Sequence, residues 1–298
     1  MKKLLLSILF LSHLAYASSS DEVVVTVGYG PGGTNTIIRT FAGDAENAGR
    51  LKFIVVERPG ANGSIALKTY FEKPQTNKSI LGTTGGQVLF EALVHPENNY
   101  INQLKVIGPV VTSPLAIAVR PDSQFKSIGD LFDKKIPRQR VNIAVGGESH
   151  EMLVNQIAKY SHHDVQGIRY KGGSGQLVAL LGGEVQMIAD AYGSLNQRGS
   201  QVRILAVAQR NGINNVPSIT KYAPIPTIVN YFGITVGKDT PDIQELVKTI
   251  TVGFISADRI DFYKEQGYNI DLNPKNDYIE REVVPAYKKW INLLSNSK

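Results

Sequence analysis

Apolar and polar positions along the chain follow two patterns that take turns. Val23–Val27 holds four valines in five residues, a short continuous run that predicts a buried strand. After a Gly-rich turn, Ile37, Ile38, Phe41, Ala42 and Ala45 recur at helical spacing. Phe53–Val56 reads as a second strand, Ser64–Glu72 as a helix, and Ile80–Thr83 and Val106–Val110 as further strands. This is the βαβ rhythm of a parallel sheet covered by helices. Leu115–Val119 is another apolar strand, and Arg120-Pro121-Asp122 breaks it.

A second series follows. Val141–Val145, Gln166–Tyr170, Val185–Ala189 and Val202–Val207 read as strands, with helices at Glu151–Tyr160 and Gln176–Leu181. Pro217, Pro224 and Pro226 mark an irregular stretch before a strand at Val229–Val236. From Asp242 the pattern is helical: Ile243, Leu246, Val247 and Ile250 keep the period, as does Val283–Leu294, where Trp290 is expected in the core. Two α/β series and a helical tail predict two similar lobes, crossed near Val119 and again near Val236, with the tail packing on the first lobe. That is a natural hinge architecture for closing on a ligand.

The first residues add a compartment. Met1-Lys2-Lys3 is a short positive segment, Leu4–Leu14 is mostly apolar, and Ala15-Tyr16-Ala17 places small residues where a signal peptidase reads them. Cleavage after Ala17 and a periplasmic, soluble mature protein are expected. The division is therefore 1–17 leader, 18–118 with 236–298 first lobe, and 119–235 second lobe. The 298 residues include no cysteine, which excludes disulfides, thiolate metal sites and cysteine nucleophiles. Removing Lys2 and Lys3 leaves 30 basic residues against 26 acidic, spread along the chain without the stripe that nucleic acid demands. The mild excess favours anionic ligands.

The sharpest local signal is VVVTVGYGPGG. Gly28, Gly30 and Gly33 fit the dinucleotide fingerprint, and the next strand ends in the acid Glu57. Pro31 inside the turn and a gap to Glu57 longer than the usual ~20 residues count against NAD. The loop still brings backbone amides to a helix start, a cradle for an anion. Thr34 and Asn35 are good caps for the helix. Similar turns recur at Arg58–Ser64, Thr83–Gln87, Gly146–Glu151 and Lys171–Gly175, so several amide-lined turns are expected around one crevice. Catalytic patterns are weak. Ser174 lies in GGSGQ, not G-x-S-x-G. Ser149 and His150 are adjacent in sequence, which does not of itself make a nucleophile–base pair. His162-His163-Asp164 has no third ligand at metal spacing and reads as a surface loop. Asp190, at the end of VQMIAD, is either a helix cap or a crevice-facing acid. No enzyme, cofactor or metal is expected.

Six segments in order resemble the Bug/TctC family, the substrate-binding proteins of tripartite tricarboxylate transporters: VTVGYGPGGTNTIIR, FIVVERPGANGSIA, PLAIAVRPDSQFKSIGDL, GGESHEMLVNQIA, YKGGSGQLVALLGGEVQMIAD and VRILAVAQRN…VPSI. The resemblance implies a two-lobed α/β flytrap with mainly parallel sheets, flanking helices and two hinge crossings. It implies capture of a small carboxylate for a membrane permease by a monomer. Carried over residue by residue, it places the ligand on Tyr29, Gly30, Pro31, Gly32, Gly33, Thr34 and Asn35, and on Thr84, Gly85, Gly86 and Gln87. From the second lobe come Ser149, His150, Tyr170 and Asp190. The chain departs from the family at Thr36, where an Asp is usual, at Gly30-Pro31 in place of Pro-Pro, and at Glu148, an added negative charge. Alternative readings are a ligand-binding sensor subunit for a membrane receptor, a secreted enzyme and an NAD-binding protein.

Overall fold

The computed structural model describes residues 21–49, 51–88, 96–98, 100–254, 257–274, 277–285 and 288. The predicted leader, Trp290 and most of Val283–Leu294 lie outside them. Strand β1 (Asp21–Val27) pairs parallel with β2 (Leu51–Glu57) on one side and β3 (Ser79–Thr84) on the other. Its Val23, Val25 and Val27 are buried, as the valine run predicts. Helix α1 (Gly33–Ala48) covers the sheet with the stripe Ile37, Ile38, Phe41, Ala42 and Ala45. Helix α2 (Ser64–Phe71) buries Ala66, Leu67 and Tyr70.

The next strands differ from the sequence reading. Val106 ends a short β4 (Leu104–Val106), and Val110 opens a long β5 (Val110–Val119). Gly108-Pro109 lies between them; proline has no amide to give a ladder. Strand β5 instead runs on through Pro114, and there its partners change. From Val111 to Pro114 it pairs with β10 (Val229–Gly237), and from Leu115 onward with β8 (Met187–Ala191) and β9 (Arg203–Val207), all antiparallel. The missing N–H of Pro114 falls where the ladder is handed over.

The second half repeats the first. Strand β6 (Arg140–Val145) pairs parallel with β7 (Asp164–Arg169) and β8. Helices α3 (Glu148–Tyr160) and α4 (Gly173–Leu181) follow β6 and β7, and the short α5 (Tyr192–Asn196) follows β8. The tail adds α6 (Gln244–Phe254), α7 (Ala257–Glu265) and β11 (Asn269–Asp271), which pairs with β5 beside β10. The strand order is β2-β1-β3-β10-β5-β8-β6-β7. The three outer strands of each half are parallel, as expected. The middle is antiparallel, because the chain crosses in β5 and must come back in the opposite direction. The crossing is tied by backbone bonds: Leu115 N–H to Ile228 O (2.9 Å), Ala208 N–H to Leu115 O (2.7 Å) and Ile228 N–H to Ala208 O (2.8 Å). Each half has its own apolar core, one around Val25, Phe41 and Ile234, the other around Ile117, Phe125, Ile143 and Leu153.

Candidate functional site

The carboxyl ends of β1, β3, β6, β7 and β8 converge on one cleft between the halves, where a sheet of this kind binds its ligands. Three helices start there, α1, α3 and α4. Their N-caps are Gly32, Gly147 and Gly172, which have no side chain with which to cap. The first amides of a helix have no intrahelical partner and sit at the positive end of its dipole. Three such ends therefore present donors to the same space. The helical stretch at 85–88 differs, because Thr84 Oγ1 accepts the Gln87 N–H at 3.2 Å and caps it from within.

The two sides touch. Ser174 N–H donates to Pro31 O across the cleft at 3.1 Å. Gly32 has φ 158°, and a Cβ on it would lie 2.6 Å from Gly173 N. Gly172 has φ 126°, and a Cβ there would lie 3.1 Å from Pro31 O. These glycines let one backbone approach another. At the mouth, Arg169 Nη1 donates to Asn62 Oδ1 at 2.8 Å and Nη2 to Glu148 Oε1 at 2.7 Å. Arg169 also pairs with Glu151, and Asn62 Nδ2 donates to Glu148. The Tyr29 hydroxyl donates to Asn62 O at 3.0 Å; burial pushes its pKa up to about 12, so it stays a donor. The cleft that remains has a volume of about 40 Å³. That is a few water-sized spaces of roughly 10–15 Å³ each, and far below the ~300 Å³ of an ordinary drug-sized site. The two halves are therefore in contact across the cleft.

Inside, His150 Nδ1 accepts the Gly146 N–H at 3.1 Å, so the neutral ring carries its proton on Nε2, 3.8 Å from Asp190 Oδ1. Burial lowers the His150 pKa and keeps the ring neutral; burial raises that of Asp190. Asp190 Oδ1 accepts the Ala191 N–H at 2.7 Å.

Of the residues named from sequence, Tyr29, Gly30, Gly32, Gly33, Thr34, Thr84, Gly86, Ser149, His150 and Asp190 line this cleft. Pro31 contributes its carbonyl to the cross-cleft bond. Asn35 is turned away, donating to Glu57 at 2.6 Å and accepting from Arg39 at 2.7 Å. Glu57, the acid of the dinucleotide pattern, is thereby engaged, and Arg39 adds a bond at 3.1 Å. Gly85 is buried and does not line the cleft, and Gln87 is buried with its amide on Gly63 O at 2.9 Å. Tyr170 lines a neighbouring 340 Å³ pocket with Arg169 and Lys171. Thr36 is exposed, so that departure lies outside the cleft, whereas Glu148 lines it. The His162-His163 pair is not simply surface: His163 is buried, with Nε2 at 3.1 Å from Asp130 O and Nδ1 accepting from Gln139 N. Among the described residues no group of three potential ligands could hold a metal.

Residues 37–283 match the tripartite tricarboxylate transporter family receptor. The chain belongs to that family. Its members are solute receptors, not enzymes, and they work outside the cytoplasm with a tripartite transporter. Solved structures agree in fold. One described as a periplasmic transporter is 18% identical, with 95% of this chain and 99% of that one aligned and a TM-score of 0.80. The periplasmic binding protein BugD is 20% identical over 92% of this chain and 97% of its own, TM-score 0.77. MatC from Rhodopseudomonas palustris, solved with malate, is 17% identical over 91% and 98%, TM-score 0.74. No curated protein matches the chain in sequence. Among the described residues no helix is long and apolar enough to cross a membrane.

Gly146, Gly147, Gly172 and Gly173 belong to the turns expected around the crevice, whereas sequence reasoning missed Gln176 and Asn230 of this receptor's cleft. The glycines had a signal, the repeated turns before helices. Gln176 and Asn230 had none, since each is a single polar residue in an otherwise ordinary helix or strand.

Proposed function

We propose that this receptor captures a small organic acid in the cleft and passes it, in the closed form, to a membrane permease. The observation that carries the reading is the convergence of three glycine-capped helix starts on one cleft. Backbone donors at helix ends favour an anion without any side-chain charge. The malate of MatC and the adipate of a second R. palustris protein, Rpa4515, are ligands of this chemical class. The ligand-binding set comprises the residues named from sequence that line the cleft, Tyr29, Gly30, Gly32, Gly33, Thr34, Thr84, Gly86, Ser149, His150 and Asp190, extended by Gly147, Gly172 and Asn230. The lobes are 18–118 with 236–298 and 119–235; the first boundary falls at the end of β5, the strand that pairs with both halves, and the second near the end of β10. The receptor works as a monomer, released from its leader after Ala17.

A thermal-shift screen of the purified chain tests this. Malate, succinate, adipate, citrate and benzoate are compared with their neutral amides. A binding acid at 100 times its Kd adds about 2.7 kcal/mol of stability. At least one acid is expected to raise Tm while its amide does not. Equal shifts with acids and amides, or none with any acid, would overturn the proposal.

A further inference from the structure

The outward face of α4 is built the wrong way round for a helix that meets only water. Gly173–Leu181 contains no charged residue. Its one amide side chain, Gln176, is fully buried, while Val178 is 69% and Leu181 43% exposed. A surface helix ordinarily turns its polar positions outward, and one that is apolar on its outer face has that face covered.

The face runs up to the line where the halves meet and continues beyond it. Gly175 lies three residues before Val178, on the same side of the helix. A Cβ on Gly175 would lie 3.6 Å from Tyr170 Cβ, so Tyr170 packs beside this face. Tyr170 lines the 340 Å³ pocket whose other wall includes Pro59, Gly60 and Ala61 of the first half. A Cβ on Gly60 would lie 2.5 Å from Ile65 Cδ1, which places Ile65, 46% exposed on α2, against that wall. An apolar band therefore runs from Leu181 and Val178 through Tyr170 to Ala61 and Ile65, and contiguous exposed apolar surface marks a contact site. The band is whole only while the halves touch, at Arg169 Nη1 to Asn62 Oδ1 (2.8 Å) and Ser174 N–H to Pro31 O (3.1 Å).

Cations edge the band. Arg58 and Lys171 are exposed and have no ion pair among the described residues. Nearby acids are engaged: Glu148 and Glu151 pair with Arg169, and Glu184 accepts from the Tyr170 hydroxyl at 3.4 Å. A second copy of the chain would set these cations against themselves, because a two-fold contact pairs a surface with itself. An acidic partner meets no such repulsion. Resting on the reading that this receptor delivers its ligand to a permease, we propose that the permease docks on this band, through an extracytoplasmic loop that carries an apolar side chain beside a carboxylate. The apolar side chain fills the pocket between Tyr170 and Ala61, and the carboxylate meets Lys171 and Arg58. Each half supplies one wall of the pocket, so the loop binds the receptor with its halves together and shifts the population that way.

Site-directed cross-linking tests this on the full chain. The protein has no cysteine, so one introduced thiol carries one label. Val178→Cys, Ile65→Cys and the control Val252→Cys, on α6, which packs on α1, are each labelled with benzophenone maleimide. All three positions are exposed, and the labelled proteins should melt as wild type does. They are added to spheroplasts of the source cells and irradiated, and adducts are identified by peptide mass spectrometry. Val178→Cys and Ile65→Cys should both cross-link to the multi-spanning permease subunit, and Val252→Cys should not. Adding Lys171→Glu should lower the Val178→Cys adduct about fivefold or more at low salt, as loss of a steering charge does, and an unchanged yield would overturn the charge pairing. Permease adducts from Val252→Cys alone, or equally from all three, would overturn the band and leave delivery standing. Adducts with a second copy only, or none from either band position, would also overturn the band. A single-span receptor kinase at the two band positions would overturn delivery itself.

Discussion

Closing the cleft brings Asn62 of the first half against Arg169 and Glu148 of the second, and Asn62→Gly isolates what that contact contributes. Asn62 sits at φ 54°, ψ 30°, a left-handed conformation that glycine adopts without strain, whereas alanine would add a backbone penalty. The substitution removes two side-chain bonds, from Arg169 Nη1 and to Glu148 Oε1, and keeps the Asn62 carbonyl that accepts from Tyr29. Each is a hydrogen bond to a charged group, worth ~1.5–3 kcal/mol when fully buried. The Arg169 side chain is 51% exposed, so solvent screening reduces this to roughly 0.5–1 kcal/mol apiece. The closed form should lose about 1–2 kcal/mol, a factor of about 5–30 in the open-to-closed ratio. When the free protein is mainly open, that whole factor appears as weaker ligand binding. Calorimetry measures it, and small-angle scattering of the liganded protein reports the accompanying shift toward the open form. Affinity within about twofold of wild type, with an unchanged radius of gyration, would refute the reasoning and show that the mouth contacts contribute nothing to closure.

Gly32→Ala places a methyl carbon 2.6 Å from Gly173 N, so binding should fall more than about tenfold while circular dichroism stays native, checked by calorimetry and spectra on one sample. His150 has a pKa lowered by burial, so below about pH 6.5 the unfolded chain takes up a proton that the folded chain resists. Wild-type Tm should therefore fall on acidification from about pH 7 to 5, and His150→Asn should flatten part of that slope. Asp190 has the opposite sign. Its raised folded pKa means that its burial costs stability above the unfolded value of ~3.9, and the cost disappears as pH falls below it. Ligand-free Asp190→Asn should melt higher than wild type at pH 7 and lose the advantage near pH 3, read by calorimetric scans; an equal or lower Tm at pH 7 would mean that Asp190 is already compensated.

The valine run of β1 and the stripe of α1 were legible because burial on a sheet and on a helix face each imposes a period on the sequence. The glycine turns were legible for a related reason, since a strand that ends at a helix start needs a tight, side-chain-free corner. What was not legible depends on partners distant in sequence. Val106–Val110 reads as one strand by composition, and only the register along β10, which faces Val106 at Thr235 but Val111 at Phe232, shows the break between β4 and β5. The family resemblance places Asn35 on the ligand, but its amide engages Glu57 and Arg39, 22 and 4 residues away. Gln176 is the most instructive residue. Its helix is read from sequence without giving it a role, and its meaning appears only when Ala144 and Ala189 from two strands take both its hydrogens.

That division has a functional consequence. The donors of the cleft are backbone amides, which glycine-rich turns supply whatever the side chains nearby, so they can hold a carboxylate in general but distinguish poorly between one acid and another. The acceptors are side chains, Asp190 and Gln176, set by long-range packing. Discrimination between ligands should therefore follow the acceptors. A substitution such as Gln176→Leu, which removes the unpaired oxygen along with both strand bonds, would alter ligand choice more than any change in the glycine turns that preserves closure.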